Sequence, residues 1–409
     1  MNKMTPQIRF QGFTDDWEER KLGEFSDVRD GTHASPKYIS QGHPMVTSKN
    51  LTSSGLDMAD VSFLTDEDFD EINKRSKVSI GDILFGMIGT IGNPVIVDRD
   101  DFAIKNVALI KEKSSNPIMN KWLLQYLKSP PFNRFIKKEN AGGTQKFIAL
   151  GLIRDMKLRV PESNEQQKIG SFFKQLDDTI ALHQRMLDLL KEQKKGFLQK
   201  MFPKNGAKVP ELRFSGFDDD WEERKLSDIS DKVKEKNKTG EFTETFTNSA
   251  EYGIINQRDF FDKDISNAKN LDGYYVVKND DFVYNPRISN FAPVGPIKRN
   301  KLGRTGVMSP LYYVFRTHDI DKNYIEKYFD TFYWHRFMEL NGDSGARADR
   351  FAIKDSIFVE MPMPYPTMAE QQKIGSLFKQ IDDTIALHQR KLDLLKEQKK
   401  GFLQKMFVS

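Results

Sequence analysis

The sequence predicts an α/β (α+β) protein with two related modules, each built on small mixed sheets, separated by two long helices that pair as an antiparallel coiled coil. Three observations lead to this fold class. A helical segment in the middle of the chain recurs near its end, a second segment opens both halves, and the interiors differ while keeping similar apolar patterns. Pro6 corresponds to Pro210 and Glu165 to Glu370. This period far exceeds the roughly 20–50 residues of solenoid repeats, so whole domains are duplicated.

Two stretches of each half are nearly identical, and we call them the frame segments. PQIRFQGFTDDWEERKLGEFSD (6–27) recurs as PELRFSGFDDDWEERKLSDISD (210–231). EQQKIGSFFKQLDDTIALHQ (165–184) recurs as EQQKIGSLFKQIDDTIALHQ (370–389), and both copies continue through LLKEQKKGFLQKMF. The helical copies differ only at Phe172/Leu377, Leu176/Ile381 and Met186/Lys391.

The interiors between the frame segments share apolar patterns without sharing a sequence. VSIGDILF (78–85) and VKNDDFVY (277–284) both predict strands. WLLQYLKSPPFNRF (122–135) aligns with YIEKYFDTFYWHRF (324–337), and GTQKF (143–147) aligns with GARADRF (345–351). Constant frames around variable interiors indicate two versions of one module with different specificities.

The repeated helical segment predicts a long coiled-coil helix in each half. Its apolar residues follow alternating three- and four-residue steps, and His183 and Lys194 interrupt the same seam. A helix of about 38 residues is about 57 Å long. A helix packed only on its own module is the alternative. Two nearly identical seams are, however, natural partners for each other, and an antiparallel pair would carry the modules at opposite ends. The seam residues are Ile169, Phe173, Leu176, Ile180, Leu187, Leu190, Phe197 and Met201, and in the second copy Ile374, Phe378, Ile381, Ile385, Leu392 and Leu395.

These patterns divide the chain into four segments: the first module with its opening frame segment (1–160), a central long helix (161–205), the second module with its frame segment (206–365) and a C-terminal long helix (366–409). The absence of cysteine excludes disulfides, thiolate zinc sites and cysteine nucleophiles. No apolar run approaches the roughly 18 residues of a membrane span, so a cytoplasmic location is expected. The net charge of +4 is compatible with a nucleic-acid partner without requiring one.

Two motifs suggest catalysis but fit structural roles better. SPPF (129–132) imitates the [DNS]-P-P-[YFW] loop with which DNA amino-methyltransferases hold an extruded base. It follows a helical pattern, no F-x-G-x-G loop precedes it, and the second half has TFY (331–333) in its place. The prolines are therefore interpreted as a helix stop. GMIGTIG (86–92) continues into the strand-like PVIV, which predicts a hairpin, because a phosphate-binding loop needs a helix N-terminus.

No other pattern in the sequence supports chemistry by this chain. G-K-[ST] does not occur, so ATP binding is not expected. His33 and His43 lie ten residues apart without the spacing of metal ligands, so no metal site is predicted. The sequence therefore offers no catalytic residue.

The F-x-G-F-x-x-x-W-E-x-x-K-L opening and the E-Q-Q-K-I-G-x-x-F-K-x-x-D-D-x-I helix occur in both halves and resemble the specificity subunit of type I restriction-modification enzymes over essentially the whole chain. The resemblance implies that each variable interior is a target recognition domain that reads one half of a bipartite, asymmetric DNA site. It implies a non-catalytic subunit whose helices dock two S-adenosylmethionine-dependent adenine methyltransferase subunits, joined by two motor-nuclease subunits that use ATP and Mg. This chain itself would bind no cofactor.

Base readout needs polar or cationic side chains on loops that reach the grooves, so the loops after the shared strands are the best candidates. In the first module these are Ser48, Lys49, Asn50, Met87, Thr90, Gln145 and Lys146, and in the second Asn285, Arg287, Arg347 and Arg350. Two other functions stay open. A stand-alone DNA amino-methyltransferase would bind S-adenosylmethionine by itself, and a non-catalytic coiled-coil scaffold would leave no footprint on DNA.

Overall fold

The computed structural model describes residues 5–113, 118–139, 147–204, 206–260, 271–343 and 349–408. Spatial contacts divide the chain into two compact units. Unit 1 contains Met1–Arg185 and Gln389–Ser409, and unit 2 contains Met186–His388. The four segments predicted above are consecutive stretches of the sequence, whereas these two units are defined by spatial contacts. Each unit contains part of both long helices.

Unit 1 is built from short strands and helices in front of its first long helix. The strands are β1 Glu18–Lys21, β2 Ser26–Asp30, β3 His43–Val46, β4 Leu51–Thr52, β5 Gly55–Leu56, β6 Ser62–Leu64, β7 Ile83–Gly86, β8 Gly92–Ile96, β9 Ala103–Ile104, β10 Val107–Glu112 and β11 Lys157–Val160. The helices are α1 Leu22–Phe25, α2 Asp66–Ser76, α3 Asn120–Lys128, α4 Pro130–Glu139, α5 Leu150–Asp155 and α6 Ser163–Lys200.

Unit 2 repeats much of this order. Its strands are β12 Glu222–Lys225, β13 Ser230–Lys232, β14 Phe246–Ser249, β15 Gly253–Asn256, β16 Tyr275–Val277, β17 Phe282–Tyr284, β18 Ile297–Arg299, β19 Gly306–Met308, β20 Tyr313–Thr317 and β21 Pro362–Tyr365. Its helices are α7 Gln257–Phe260, α8 Lys322–Phe329, α9 His335–Asn341, α10 Asp355–Phe358 and α11 Met368–Lys405.

The central sheet has the same strand order in both units, β2-β10-β7-β8 in unit 1 and β13-β20-β17-β18 in unit 2. Side chains alternate across its strands, so each strand contributes to two cores. Phe85 packs with Trp17 and Phe173, whereas its neighbour Leu84 packs in a separate cluster with Leu109. One face of the sheet therefore covers the frame segments, and the other covers the variable interior.

The smaller sheets differ more between the units. The frame strands pair identically, β1 with β11 and β12 with β21, both antiparallel. Unit 1 adds the mixed sheet β6-β3-β9, in which β3 runs parallel to β9. Unit 2 has the antiparallel pairs β14–β15 and β16–β19. The predicted combination of small mixed sheets with long helices is confirmed.

The two sequence motifs that imitate catalytic loops have the predicted structures. Helix α3 ends at Lys128, and Pro130 begins α4, where a missing backbone N–H costs nothing. Residues 86–92 connect the antiparallel strands β7 and β8 as a hairpin. No helix among the described residues is both long and apolar enough to cross a membrane.

The long helices run antiparallel inside each unit. In unit 1 the rings of Phe172 and Phe402 lie 5.0 Å apart. Asp177 Oδ1, five residues later on α6, lies 2.5 Å from the Nζ of Lys399, three residues earlier on α11. In unit 2 Lys194 Nζ lies 2.6 Å from Asp382 Oδ1, and Phe202 stacks on Phe378. From one of these contacts to the next, the residue number rises on α6 and falls on α11, so the two helices run in opposite directions. This confirms the predicted antiparallel coiled coil.

A buried glutamate joins the two frame segments of unit 1. Arg9 donates two hydrogen bonds to Glu165, from Nε to Oε1 at 2.7 Å and from Nη2 to Oε2 at 2.8 Å. Trp17 Nε1 donates to the same carboxylate at 3.1 Å. The Glu165 side chain is fully buried, and its hydrogen bond raises the pKa of Arg9. We call Arg9, Trp17 and Glu165 the Glu165 cluster.

Unit 2 contains the same cluster, formed by Arg213, Trp221 and Glu370. Its arginine donates to Glu370 at 2.7 and 2.9 Å and its tryptophan at 3.1 Å. We call it the Glu370 cluster. Bidentate, charge-assisted hydrogen bonds are among the strongest in proteins, so each cluster fixes the start of its long helix against the opening frame segment.

The next residues of the E-Q-Q-K-I-G motif attach the long helix to its module. Gln166 Oε1 accepts a hydrogen bond from the backbone N–H at the start of α3, and Gln371 Oε1 accepts the equivalent bond at the start of α8. A Cβ atom on Gly170 would lie 2.9 Å from Lys121 Cβ, and one on Gly375 would lie 2.6 Å from Asp321 Oδ1. The second glutamine and the glycine of the motif are thus explained by the close packing of the long helix against the start of α3 or α8.

Candidate nucleic-acid interface and helix surface

The structure brings together two of the loops predicted to contact DNA in unit 1. The loop after β7 lies against the 3-10 turn Ser48–Asn50, because a Cβ atom on Gly86 would be 3.4 Å from Ser48 Cβ. Asn93 Nδ2 also donates to the Leu51 carbonyl at 2.9 Å. The two loops therefore form one surface.

The predicted residues of this surface have different environments. Lys49 and Thr90 are exposed, and Lys49 pairs with Asp60 at 2.9 Å. Met87 belongs to the core, and Ser48 and Asn50 are buried. The side chain of Asn50 is used in local hydrogen bonds. Its Oδ1 accepts from Thr47 N, and its Nδ2 donates to the carbonyls of Asp57 and Asp60. The buried three are positioned to shape the loops, and Gln145 and Lys146 lie outside the described residues.

In unit 2 two arginines lie directly opposite each other on neighbouring extended segments. Arg287 forms an antiparallel bridge with Arg350. Phe351 N donates to Pro286 O at 2.7 Å and Ile288 N to Asp349 O at 3.0 Å, which makes the arginines a non-hydrogen-bonded pair with Cα atoms about 4.5 Å apart. Like charges directly opposite are destabilising. Such a pair is expected where an anionic ligand compensates the charge.

Nearby acids compensate this charge only in part. Arg287 Nη2 lies 3.6 Å from Asp349 Oδ2, and both side chains are more than half exposed. Asn285 Oδ1 accepts from Arg287 N at 3.0 Å, and its Nδ2 donates to Asn248 O. Asn285 therefore shapes the loop that carries Arg287. Arg347 lies outside the described residues.

The equivalent pair in unit 1 is apolar. Ile88 bridges Phe147, and Ile148 N donates to Met87 O just as Phe351 N donates to Pro286 O. Ile88 and Phe147 are both exposed. The sequence alignment that set Phe147 against Phe351 was therefore wrong by one residue, because Phe147 corresponds to Arg350 and Ile148 to Phe351. We call these two sites the apolar bridge pair and the arginine bridge pair.

Two concavities adjoin the arginine bridge pair in unit 2. One, of about 590 Å³, is lined by both arginines, by Asn248 and by the exposed Phe291. The other, of about 840 Å³, shares Pro286 and Leu311 with the first and includes Lys232 and Lys354 in its wall. This face of unit 2 thus combines recesses with cationic side chains, as a groove-reading surface requires.

Module-specific side chains reach the same helix aspartate in each unit. In unit 1 Gln125 Nε2 donates to Asp177 Oδ2 at 3.3 Å. In unit 2 the corresponding Lys327 lies 2.7 Å from Asp382 Oδ2. Burial disfavours the charged form of Lys327, but the carboxylates of Asp330, Glu326 and Asp382 together raise its pKa. Burial likewise opposes ionisation of Asp382, yet Lys327 and Lys194 lower its pKa.

The predicted seam residues face inward. Ile169, Phe173, Ile374 and Phe378 lie in the module cores. Leu187, Met201, Ile381 and Leu392 are also buried, and the remaining seam positions are half-buried: Leu176, Ile180, Leu190, Phe197, Ile385 and Leu395. The seam is therefore used for packing within the units, and its availability to a partner stays a prediction.

Other leucines of the long helices are exposed and were missed from the sequence. Leu182 and Leu394 in unit 1 are each 59% exposed, and Leu189 and Leu387 in unit 2 are 63% and 64% exposed. Leu182 lies five residues after Asp177 and Leu394 five before its partner Lys399, so the two leucines are level in the antiparallel pair. Leu189 lies five residues before Lys194 and Leu387 five after its partner Asp382, so these two leucines are level as well. Their seven-residue spacing, from Leu182 to Leu189 and from Leu387 to Leu394, lies outside the seam and is the sequence pattern that could have predicted them.

Within the described residues, no group of three or more His, Asp or Glu side chains could hold a metal ion. His33 instead contacts Asp30 and Asn106, whose hydrogen bonds raise its pKa. His43 contacts Asp66 and stacks on Phe69. Both histidines therefore have structural partners.

Known proteins match both halves of the chain. A family model described as the type I restriction modification DNA specificity domain matches residues 14–192 and again 218–397. A Methanocaldococcus jannaschii protein whose name assigns it to the specificity subunit of the MjaX type I restriction enzyme is 23% identical, over 95% of this chain and 92% of its own length. The MjaVIII specificity subunit of the same organism is 22% identical, over 95% and 91%. The crystal structure of a type I restriction-modification S subunit from M. genitalium has a TM-score of 0.63 at 13% identity and covers 99% of this chain and 100% of its own.

Proposed function

Because the chain belongs to the type I restriction modification DNA specificity domain family, we propose that it is the DNA-recognition subunit of a type I restriction-modification complex. Each unit contains one target recognition domain and reads one half of a bipartite, asymmetric DNA target. The chain performs no chemistry itself. It directs adenine methylation or restriction by partner subunits.

The observation that supports this proposal is the contrast between the two bridge pairs. The hydrogen-bond distances of the Glu165 and Glu370 clusters agree to within 0.1 Å. At the same place on the two modules, however, unit 1 exposes isoleucine and phenylalanine and unit 2 exposes two arginines. Arginine pairs with guanine in the major groove, and apolar side chains contact the thymine methyl group. Two equal frames with different exposed pairs suit two different half-sites.

Adenine methylation in cells tests this reading. The chain is co-expressed with the methyltransferase of its own system, and single-molecule sequencing gives the methylated motif. Arg287→Ala removes a contact worth about 1–3 kcal/mol at one base, so one position of the second half-site should relax. Arg336→Ala, at an exposed arginine of α9 in the same unit, is the matched control and should leave the motif unchanged.

Other outcomes assign Arg287 differently. Uniform weakening over all sequences, with a shallower salt dependence, would make it a phosphate contact. A change in both half-sites at once would contradict independent readout by the two units. Replacement of residues 29–160 by the corresponding part of a relative sharpens the same question, because only the first half-site should change.

The exposed leucines support docking of methyltransferase subunits on the long helices, one at each unit and hence two per chain. Each unit exposes a level pair of leucines, which leaves apolar area in water that a partner would bury. Two motor-nuclease subunits would complete the restriction complex. The half-buried seam residues would support these leucines from beneath, and the leucines themselves would form the surface that contacts the methyltransferase.

Co-purification with the methyltransferase tests the docking surface. Leu189→Glu, and separately Leu387→Glu, should reduce the methyltransferase retained by the chain, because a charge replaces buried apolar area. Lys195→Glu, at an exposed position of the same helix, should retain it in full. Equal retention by all three variants would remove these leucines from the interface.

The chain is proposed to bind neither S-adenosylmethionine nor ATP, which its partners would use together with Mg. Isothermal titration of the purified chain with S-adenosylmethionine should give no binding heat. Saturable binding at micromolar concentration would instead support a stand-alone methyltransferase.

A further inference from the structure

We propose that Phe291 of unit 2 inserts between two base pairs of the DNA and that the cavity of about 590 Å³ beside it receives the edge of the base that Phe291 displaces. This inference rests on the proposed DNA-recognition function. It adds a residue that selects sequence through the deformability of one base step rather than through hydrogen bonds alone.

Phe291 is at the tip of a tight turn and is 78% exposed. Ser289 and Ala292 exchange backbone hydrogen bonds of 3.1 and 3.0 Å, so Asn290 and Phe291 form the two-residue tip. Single exposed apolar residues are common on protein surfaces. What distinguishes Phe291 is the fixed loop that presents it.

Buried contacts hold the base of this loop. Tyr284 Oη donates to Val294 O at 2.9 Å, and both Ala292 and Val294 are buried. Gly295 has a φ of +83° and packs so closely that a Cβ atom would lie 2.1 Å from Asn285 O. The aromatic tip is therefore held in place before any ligand binds, and little conformational entropy is lost when it inserts.

The surroundings of Phe291 favour DNA over a protein partner. Arg287 precedes Phe291 by four residues, and both members of the arginine bridge pair line the same cavity as Phe291. The described lining contains two arginines and one acidic residue, Glu251. Proteins that insert apolar wedges between base steps use neighbouring Arg, Lys, Asn or Gln side chains to contact the bases, which agrees with the base contact proposed for Arg287.

The cavity wall also contains hydrogen-bond acceptors that lack a donor. Asn248 is buried, and its Nδ2 donates to Val283 O and Pro296 O at 2.7 and 3.2 Å, which leaves Oδ1 without a partner among the described residues. Gln257 Oε1, also in the wall, has none there either. Adenine, cytosine and guanine carry exocyclic amino groups that donate hydrogen bonds. Both oxygens have almost no accessible surface, so a base edge would contact them only after the side chains of the wall move.

Fluorescence of 2-aminopurine tests the insertion. The base is placed at successive positions of the second half-site, after methylation mapping has defined it, and the full complex with methyltransferase is added. Because the methyltransferase extrudes its target adenine, we expect a second fluorescence rise, at a different base step, with the wild-type chain and no such second rise with Phe291→Ala. Specific binding should weaken about tenfold, as for loss of a base–aromatic stack, with non-specific binding unchanged.

Two further variants keep the result interpretable. Phe291→Leu retains an apolar wedge and should retain most of the rise. Phe332→Ala removes a phenylalanine that is 72% exposed between α8 and α9 and should behave as wild type. Melting temperatures of the variants identify any loss of folding.

The possible failures are distinguishable. Specific binding by the wild type with a rise only at the adenine extruded by the methyltransferase would overturn the insertion and leave the proposed function intact. Loss of methyltransferase from the Phe291→Ala complex would make Phe291 a protein contact instead. Absence of specific DNA binding by the wild-type complex would contradict the proposed function itself.

Discussion

Units 1 and 2 differ most where their side chains face outward and least where the frame segments meet. The Glu165 and Glu370 clusters repeat the same three side chains and the same bidentate geometry. The bridge pairs, on equivalent backbone, exchange Ile88 and Phe147 for Arg287 and Arg350. The comparison shows that the contacts attaching a module to its helix are separate from the side chains that we propose to contact DNA. Side chains at the bridge pair change without altering the contacts that hold the module to its helix.

An intermediate layer between these extremes adapts to each module. Asp177 and Asp382 occupy the same frame position, yet one meets a neutral amide and the other a buried lysine. Unit 2 compensates its additional charge with Asp330, whose side chain also pairs with Lys298 at 2.9 Å. The frame aspartate thus packs against either a neutral or a charged side chain of the module, provided that the module also supplies groups that balance the charge.

The largest expected effect comes from removing a frame glutamate. Glu165→Ala leaves Arg9 with its charge uncompensated in a mostly buried site, which should destabilise unit 1 by about 3–5 kcal/mol. Glu370→Ala should destabilise unit 2 by the same amount. Amide hydrogen exchange in β10 reports on unit 1 and in β20 on unit 2. Unequal losses in the two units would break the equivalence of the frames.

A smaller and unequal effect is expected at the helix aspartates. Asp382→Asn removes a partner from Lys194 and from the buried Lys327, which should cost about 1.5–3 kcal/mol. Asp177→Asn affects a partly buried pair with Lys399 and a hydrogen bond from the neutral Gln125, and should cost about 0.5–1.5 kcal/mol. Denaturant unfolding followed by exchange in β20 and β10 measures both. A greater loss for Asp177→Asn would show that module polarity does not determine the strength of attachment.

The smallest expected effect concerns the apolar bridge pair. Ile88→Ala removes apolar area that would contact a thymine methyl group, and a buried methylene is worth about 0.8 kcal/mol. The methylated motif should relax slightly at one position of the first half-site and keep its second half-site. Ile80→Ala, at an exposed isoleucine of the same unit, serves as the control. A change confined to the second half-site would reverse the assignment of half-sites to units.

The regular features of the fold could be predicted from the sequence because they depend on periodicity. Alternating three- and four-residue steps predict α6 and α11, and apolar runs predict β7 and β17. The role of Glu165 could not be predicted, because its partners lie about 150 residues earlier in the chain and a charged residue at a helix start is usually solvated.

The proposed recognition surface was harder to predict from the sequence. Its bridge pairs are isolated contacts between irregular segments, so no periodic pattern fixes their register, and the alignment shifted by one residue at Phe147. Met87, Ser48 and Asn50 lie on the predicted loops but point inward, since loop polarity does not encode side-chain direction. Leu182 and Leu189 extend the apolar stripe of α6, and only the structure separates packed from exposed leucines.

The composition of unit 1 has a consequence for protein synthesis. Met406, Phe407 and Val408 share a buried cluster with Trp17 and Trp122, whereas unit 2 is one continuous stretch of chain. A ribosome adds about 5–20 residues per second, so the stretch 186–388 separates the two parts of unit 1 by about 10–40 s. The domain that leaves the exit tunnel first must therefore finish folding last. During that interval its tryptophans stay accessible to chaperones, while the later domain can already be native.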